Sequence, residues 1–275
     1  MFGLAKYDRE VKFISLLLIL TYLLSPILVK LTSPLLSLLP NPYRDVTTNA
    51  FTAWMPAFVG ITLTFINIGW EGLKQLLKKL VPQLRHVVLY ISFPLLALAI
   101  VAVAIVLVDL DIGLMWRHFY HNWPIFMVLL LMQLCFVAIG EELGWRGYLQ
   151  SGLLRKCSRH KAAIFIFLAW ALWLWPKFTQ LSFTGSLALS LSLLAFSFFF
   201  VYSRSWFRPY LLLFAIIHGS FNTSIYFFES IYGDSIVKVW LAVSVIYALL
   251  ALIVVFCETI LTSQSNKGPT HYSGY

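Results

Sequence analysis

Long apolar runs constrain this chain more than any other feature. A helix needs about 20 mostly apolar residues to cross the hydrocarbon core of a bilayer, and spanning backbone must satisfy its hydrogen bonds internally. Only 11% of the 275 residues are charged, against about 25% in soluble domains. We therefore predict an all-α polytopic membrane bundle of about eight transmembrane helices, with the lipid bilayer as a partner. The candidate spans are residues 13–29, 50–68, 87–108, 123–154, 162–178, 186–203, 209–228 and 239–257.

Two segments outside these spans have a different character. Residues 70–84 interleave leucine and valine with Lys74, Lys78 and Lys79, a pattern typical of an amphipathic interfacial helix. Residues 262–275 are polar and contain glycine, serine and proline, which predicts a disordered tail. The remaining residues, 1–261, are predicted to form a single integral membrane domain.

The basic residues predict an orientation. In the eight-span topology, 14 of the 20 lysines and arginines fall in loops on one side and five in loops on the other. Cytoplasmic loops carry the excess of positive charge, so we expect both termini to be cytoplasmic, in a plasma (inner) membrane. This topology also accounts for the net charge of +9, and nucleic-acid binding is not predicted.

The fourth span contains charges that need an explanation. Glu141, Glu142 and Arg146 follow a run, residues 128–140, whose one strongly polar residue is Gln133. A charge near the bilayer centre costs about 2.5–3.5 kcal/mol even on the lenient insertion scale, and such residues usually serve chemistry or transport. Glu142 and Arg146 are four residues apart on a helix and are expected to form an ion pair. Glu141 then faces a different direction.

A second polar group lies at the same predicted depth. His218 and Asn222 share one face of the seventh span because they are four residues apart. His218 lies 10 residues after Arg208, and Glu141 lies 14 residues before Arg155. At 1.5 Å per residue, both sites are roughly 15–20 Å from the cytoplasmic face. We expect them to meet in a pocket facing the cytoplasm, where Glu141 would activate water and His218 and Asn222 would stabilise an oxyanion.

The sequence gives little support for a cofactor. One histidine and two carboxylates make a thin ligand set for zinc, so zinc is not favoured and no cofactor is expected. The three cysteines are scattered without a CxxC spacing, which argues against a zinc site or a disulfide framework.

These residues resemble the CPBP family of CAAX prenyl endopeptidases and bacteriocin-processing or immunity proteins, also called the ABI family. Its EExxxR motif corresponds to Glu141, Glu142 and Arg146, and its HxxxN motif to His218 and Asn222. The resemblance covers residues 54–228 and implies an eight-helix-type bundle. It also implies a general-base role for Glu141, an oxyanion site at His218 and Asn222, and support of Glu142 by Arg146. The family has been described both as metalloproteases and as metal-free glutamate proteases.

The family's second motif is incomplete in this chain. Trp170, Trp173 and Pro176 match its W-x-x-W-H-x-P context, but Leu174 stands where the family has a histidine. In the family, that histidine helps the first glutamate of EExxxR to orient and activate water. The tryptophans themselves are interpreted as packing or interfacial residues.

Three functions remain open on these grounds. The first is an intramembrane endopeptidase that cleaves a membrane-associated substrate, either a lipidated CAAX-type tail or another membrane-bound peptide. The second is a non-catalytic family member acting in bacteriocin immunity or as a membrane scaffold, which Leu174 favours. The third is a transporter that uses the glutamate pair as a proton relay. It would require polar residues continuing to the outer face, and these do not extend past Ser224.

Overall fold

The fold is helical throughout the described part of the chain. The structure, a computed structural model, describes residues 5–41, 43–208 and 211–265, and no strand occurs in these ranges. The α-helices are α1 Asp8–Ile19, α2 Ser25–Leu36, α3 Tyr43–Ala53, α4 Met55–Lys78, α5 Val87–Leu107, α6 Ile112–Met132, α7 Ile139–Glu142, α8 Ser151–Leu153, α9 Arg159–Trp173, α10 Trp175–Phe178, α11 Phe183–Tyr202, α12 Leu211–Tyr232 and α13 Ile236–Ser265.

Six continuous helical stretches are long and apolar enough to cross a membrane: Asp8–Leu36, Tyr43–Lys78, Leu84–Leu107, Ile112–Leu153, Phe183–Ser205 and Leu211–Thr262. The prediction of a polytopic helical membrane bundle is therefore confirmed. The number eight is not confirmed and stays a prediction. Two features explain the difference between six stretches and eight predicted spans. The last stretch contains two helices, α12 and α13, which are joined by a turn at Gly233–Ser235. The predicted span 162–178 falls largely on α9, which has only 15 residues.

Residues 70–78 form a distinct end to α4. Gly69 has a φ of +75°, a left-handed conformation that glycine adopts without steric cost, and the helix is broken there. Beyond the break, Gly72 and Leu76 are buried while Trp70, Lys74 and Lys78 are exposed. This part of the predicted 70–84 segment is thus helical and amphipathic, whereas its position at the membrane interface stays a prediction.

The segment Ile112–Leu153, here called the motif helix, carries the EExxxR residues. It begins well before the predicted residue 123 and bends at Asn122. Two π-helical turns, Gln133–Ala138 and Leu143–Gln150, flank α7. Such turns occur frequently at functional sites, and here they lie on both sides of the glutamate pair.

Two glycines allow the motif helix to approach the start of α4 closely. A Cβ atom on Gly144 would lie 2.4 Å from backbone atoms of Pro56, and one on Gly140 would lie 2.7 Å from the carbonyl oxygen of Ala53. Small residues at such spacings let membrane helices pack backbone to backbone. The rotation of the motif helix about its axis is therefore set by contact with the α3–α4 junction.

The aromatic core lies beside this contact. Trp145 on the motif helix packs against Trp170 and Trp173 of α9, with ring centroids 5.9 and 5.6 Å apart. Helix α11 packs against both α9 and α13. One cluster of buried apolar side chains extends from Phe13 to Val254.

The C-terminal end differs in part from the predicted tail. Helix α13 continues to Ser265, so residues 262–265, predicted as disordered, are helical. The rest of that predicted tail, residues 266–275, lies outside the described residues.

Candidate functional site

A cavity of about 130 Å³ lies between the motif helix, α9 and α12, and is here called the deep cavity. Glu141, His218 and Asn222 all line it. Residues separated by more than 70 positions in the chain thus meet, as the helical spacing and depth predicted. Glu142 and Arg146 do not line this cavity.

Glu141 has one hydrogen-bond donor among the described residues. Trp170 Nε1 donates to its Oε2 at 3.0 Å, and the glutamate is 7% exposed. Its other oxygen, Oε1, accepts no hydrogen bond from the described residues and remains available to the cavity. The indole therefore holds the carboxylate in position while leaving one oxygen for a ligand or water.

Glu142 is fully buried and has two partners. His218 Nδ1 lies 3.0 Å from Oε1, and Arg146 Nε lies 3.3 Å from Oε2. The predicted ion pair is present, and Glu141 does face a different direction. The bond between His218 and Glu142 was not predicted, because helix spacing relates residues on one helix and says little about which residue on a second helix they reach.

Arg146 is held by aromatic faces as well as by Glu142. Its guanidinium carbon lies 4.4 Å from the ring centroid of Trp170 and 4.8 Å from that of Phe200. The contact with Glu142 is an ion pair without hydrogen-bond geometry, and Arg146 makes no side-chain hydrogen bond to a described residue. Cation–π attraction to the two rings, which is strongest where water is excluded, offsets part of the free-energy cost of these missing hydrogen bonds.

His218 and Asn222 present polar atoms to the deep cavity. His218 uses Nδ1 for Glu142, and no described residue bonds to its Nε2. Asn222 Nδ2 lies 3.4 Å from Gln133 Oε1. Gln133, itself 1% exposed, was not predicted as a site residue, although it is the strongly polar member of an apolar run.

Leu174 ends α9 and lines the deep cavity. The helix is interrupted there because Pro176 cannot donate the backbone hydrogen bond that would continue α9, and it lies instead in the first turn of the short helix α10. The position that matches the family's histidine therefore faces the site but supplies no polar atom.

The donor set does not suit a metal ion. Within the described ranges, no group of three His, Cys, Asp or Glu side chains is arranged to hold one. His218 and Glu142 are bonded to each other, Trp170 occupies one oxygen of Glu141, and Leu174 has no donor atom.

The deep cavity faces the opposite end of the bundle from the one predicted. Its lining runs from Glu141 back along the motif helix to Gln133, and from His218 forward along α12 to Tyr226. Exposed Lys177 lies at this end of the lining. A neighbouring cavity of about 210 Å³ is also lined by Lys177 and includes Glu229. The pattern of basic residues places Lys177 in an outer loop when both termini are cytoplasmic. The two predictions, a pocket that faces the cytoplasm and termini that lie in the cytoplasm, therefore cannot both be correct.

Trp170 is a further residue of the candidate site that was not predicted as such. It was interpreted as a packing or interfacial residue, but its indole contacts both Glu141 and Arg146. The sequence feature that could have indicated this role is the position of Trp170 within the tryptophan-rich second motif. Trp173, by contrast, donates to Thr21 Oγ1 at 2.8 Å and makes no hydrogen bond to the glutamate pair.

Residues 121–224 match the family model described as "Type II CAAX prenyl endopeptidase Rce1-like". The matched segment contains the EExxxR residues, the tryptophan-rich second motif and the HxxxN residues. The resemblance to CAAX prenyl endopeptidases of the CPBP family is thereby confirmed over this segment, and that family is a protease family. No curated protein matches the chain at significant similarity.

Proposed function

We propose that this protein is an intramembrane endopeptidase that uses Glu141 to hydrolyse a peptide bond in a membrane-associated substrate. The observation that carries the proposal is the division between the two glutamates. Glu142 is enclosed by His218 and Arg146, whereas Glu141 lines the deep cavity together with Asn222. A carboxylate held by one hydrogen bond beside polar donors suits general-base catalysis.

The proposed reaction begins with a water molecule beside Glu141 Oε1. The carboxylate takes a proton from this water as the oxygen adds to the scissile carbonyl carbon, and a tetrahedral oxyanion forms. Asn222 Nδ2 and His218 Nε2 would donate hydrogen bonds to that oxyanion. Glu141 then returns the proton to the leaving amine as the carbon–nitrogen bond breaks.

This scheme assigns a specific role to Glu142. Where the Glu142 carboxylate accepts from His218 Nδ1, Nε2 can donate only if both ring nitrogens carry protons. The contact with the buried Glu142 carboxylate fixes the direction of the ring, so that Nε2 is left for the deep cavity. Glu142 and Arg146 would thus act as positioning residues for His218, and Glu141 as the catalytic residue.

We propose that this chemistry needs no metal ion. Its support is the donor geometry described above, in which Leu174 replaces a histidine and His218 is engaged by Glu142. Cleavage that persists in a chelator at concentrations that strip zinc is expected. Loss of activity restored by added zinc would contradict this part of the proposal.

The location and substrate are also proposals. We place the protein in the plasma (inner) membrane with both termini cytoplasmic, on the strength of its basic loops. The substrate is a lipidated or membrane-bound peptide. With this orientation its scissile segment would reach the deep cavity from the outer side or laterally, near Lys177.

Cysteine labelling tests the orientation. In a cysteine-free background, Lys177→Cys should react in intact cells with a membrane-impermeant maleimide, whereas Lys156→Cys should react only after lysis. The reverse pattern would place the termini outside and direct the deep cavity to the cytoplasm.

Proteolysis is tested by reconstituting the protein with a quenched, membrane-anchored peptide library containing lipidated and unlipidated members. Glu141→Gln should abolish cleavage seen with the wild type. Glu71→Gln is the matched control, since Glu71 is an exposed carboxylate paired with Lys74 at 3.6 Å. Cleavage that survives Glu141→Gln would overturn the mechanism.

Leu174 favours a second function, that of a non-catalytic family member in bacteriocin immunity or membrane scaffolding. The leucine faces the deep cavity where the family has a catalytic partner. An inactive wild type with cleavage gained in Leu174→His would support this alternative. Cleavage by the wild type that needs Glu141 would exclude it.

A further inference from the structure

A second polar cavity, here called the cationic cavity, lies at the Leu153 end of the motif helix. It has a volume of about 150 Å³, well above the roughly 10–15 Å³ that a single water requires. Residues of α1, α4 and the motif helix line it, among them Arg9, Lys79 and Arg155. None of these residues belongs to the proposed catalytic site.

The charge in this cavity is only partly balanced by the protein. Within the part of the chain that the structure describes, neither Arg9 nor Arg155 forms an ion pair. The one carboxylate in the lining, Glu10, is 2% exposed and is bonded to Lys156 Nζ at 2.6 Å. The lining thus keeps a net positive charge after that pair is discounted.

Tyr148 adds a hydroxyl group that lacks a partner. Its hydroxyl oxygen is buried and makes no hydrogen bond to a described residue, and the residue lines the cationic cavity. Its ring stacks on Phe13, with centroids 5.3 Å apart, which fixes its direction. A buried hydroxyl without a partner costs free energy unless a ligand or water satisfies it.

We propose that the cationic cavity binds a phosphate group, supplied by the headgroup of an anionic phospholipid. Arg9 and Arg155, which form no ion pair with a described residue, suit phosphate oxygens because a guanidinium group binds them in a planar, bidentate way, and Tyr148 would donate a further hydrogen bond. The amphipathic residues 70–78 flank the cavity, and exposed Ile68 forms part of its rim. An apolar rim beside cationic groups suits a lipid better than free phosphate.

Such a ligand would connect three parts of the fold. Arg9 lies on α1, Lys79 follows α4, and Tyr148 and Arg155 belong to or follow the motif helix. Tyr148 lies seven residues beyond Glu141 on that helix. The bound phosphate would therefore stabilise the packing that positions the EExxxR residues, and it does so whether or not Glu141 is catalytic.

Binding is tested with purified protein in a neutral detergent. Dihexanoyl phosphatidylglycerol is titrated while tryptophan fluorescence and thermal unfolding are followed, with a diacylglycerol of the same chain length and inorganic phosphate as comparisons. Wild type should bind the phospholipid and not the diacylglycerol. Inorganic phosphate that binds more weakly and competes would support a site that recognises the phosphate group.

Variants locate the site. Arg9→Gln combined with Arg155→Gln should weaken phosphatidylglycerol binding at least tenfold, and Tyr148→Phe should weaken it roughly three- to tenfold. Lys74→Gln with Lys78→Gln removes two positive charges outside the cavity and should leave binding unchanged. Glu141→Gln should also bind normally, which separates this proposal from the enzymatic one.

Four results would overturn the proposal. The first is equal binding of the diacylglycerol, and the second is binding that the cavity variants leave unaltered. The third is equal weakening in the control pair Lys74→Gln with Lys78→Gln, which would indicate diffuse electrostatic attraction. The fourth is tighter binding of inorganic phosphate than of the lipid, which would identify free phosphate as the ligand in place of the lipid headgroup.

Discussion

Glu141 and Glu142 are adjacent and chemically identical, yet their surroundings differ. Glu142 is fully buried, with His218 at 3.0 Å and Arg146 at 3.3 Å. Glu141 borders the deep cavity, and among the described residues its one hydrogen-bond donor is the indole of Trp170. One residue along a helix turns a side chain by about 100°, and this rotation separates an enclosed carboxylate from an accessible one. Neighbouring acids can therefore take unrelated roles.

The sharpest test of this difference is Glu141→Gln. Removing a positioned general base costs typically 10²- to 10⁴-fold in rate, so we expect that loss in peptide cleavage. Because the amide keeps the size of the side chain and can still accept from Trp170, the melting temperature should change little. A large loss of stability would instead give Glu141 the structural role assigned to its neighbour.

Glu142→Ala should act mainly on stability. Removing one partner of a buried ion pair costs about 3–5 kcal/mol because the other charge is left uncompensated. The unfolding midpoint in detergent should fall strongly. Combining it with Arg146→Met, which removes the orphaned charge, should restore part of the loss. A double variant less stable than Glu142→Ala would contradict this account of the pair.

Gly144→Ala tests what sets the direction of the two glutamates. The added methyl group would lie 2.4 Å from Pro56, and overpacking of this kind costs typically about 1–3 kcal/mol. The helix would shift or rotate, and both stability and cleavage should fall. Gly219→Ala is the control, because its Cβ would meet Leu134 at an ordinary 3.4 Å.

Trp170→Phe should produce the smallest effect. It removes the hydrogen bond to Glu141 while keeping an aromatic face for Arg146, and one such bond contributes about 0.5–1.5 kcal/mol. We expect a few-fold to tenfold decrease in cleavage. Trp173→Phe loses a similar bond to Thr21 and should leave cleavage unchanged; equal effects would show that Trp170 acts only through packing.

Much of the site was accessible to sequence reasoning because helical geometry is regular. The ion pair of Glu142 and Arg146 and the shared face of His218 and Asn222 follow from a spacing of four residues. Their similar depth follows from counting residues to the nearest basic loop. The partners contributed by other helices, Trp170 for Glu141 and Gln133 for Asn222, do not follow from spacing within one helix.

The sequence by itself determined that this chain is a helical membrane protein that places two glutamates, an arginine, a histidine and an asparagine within apolar helices. Hydrophobic length and fixed helical rise suffice for that conclusion. Only the tertiary structure decided which glutamate faces a cavity and which end of the bundle that cavity faces. It also decided that Arg9, Arg155 and Tyr148 line one cavity. These outcomes depend on how the helices rotate and pack against one another, through contacts as close as that of Gly144 with Pro56.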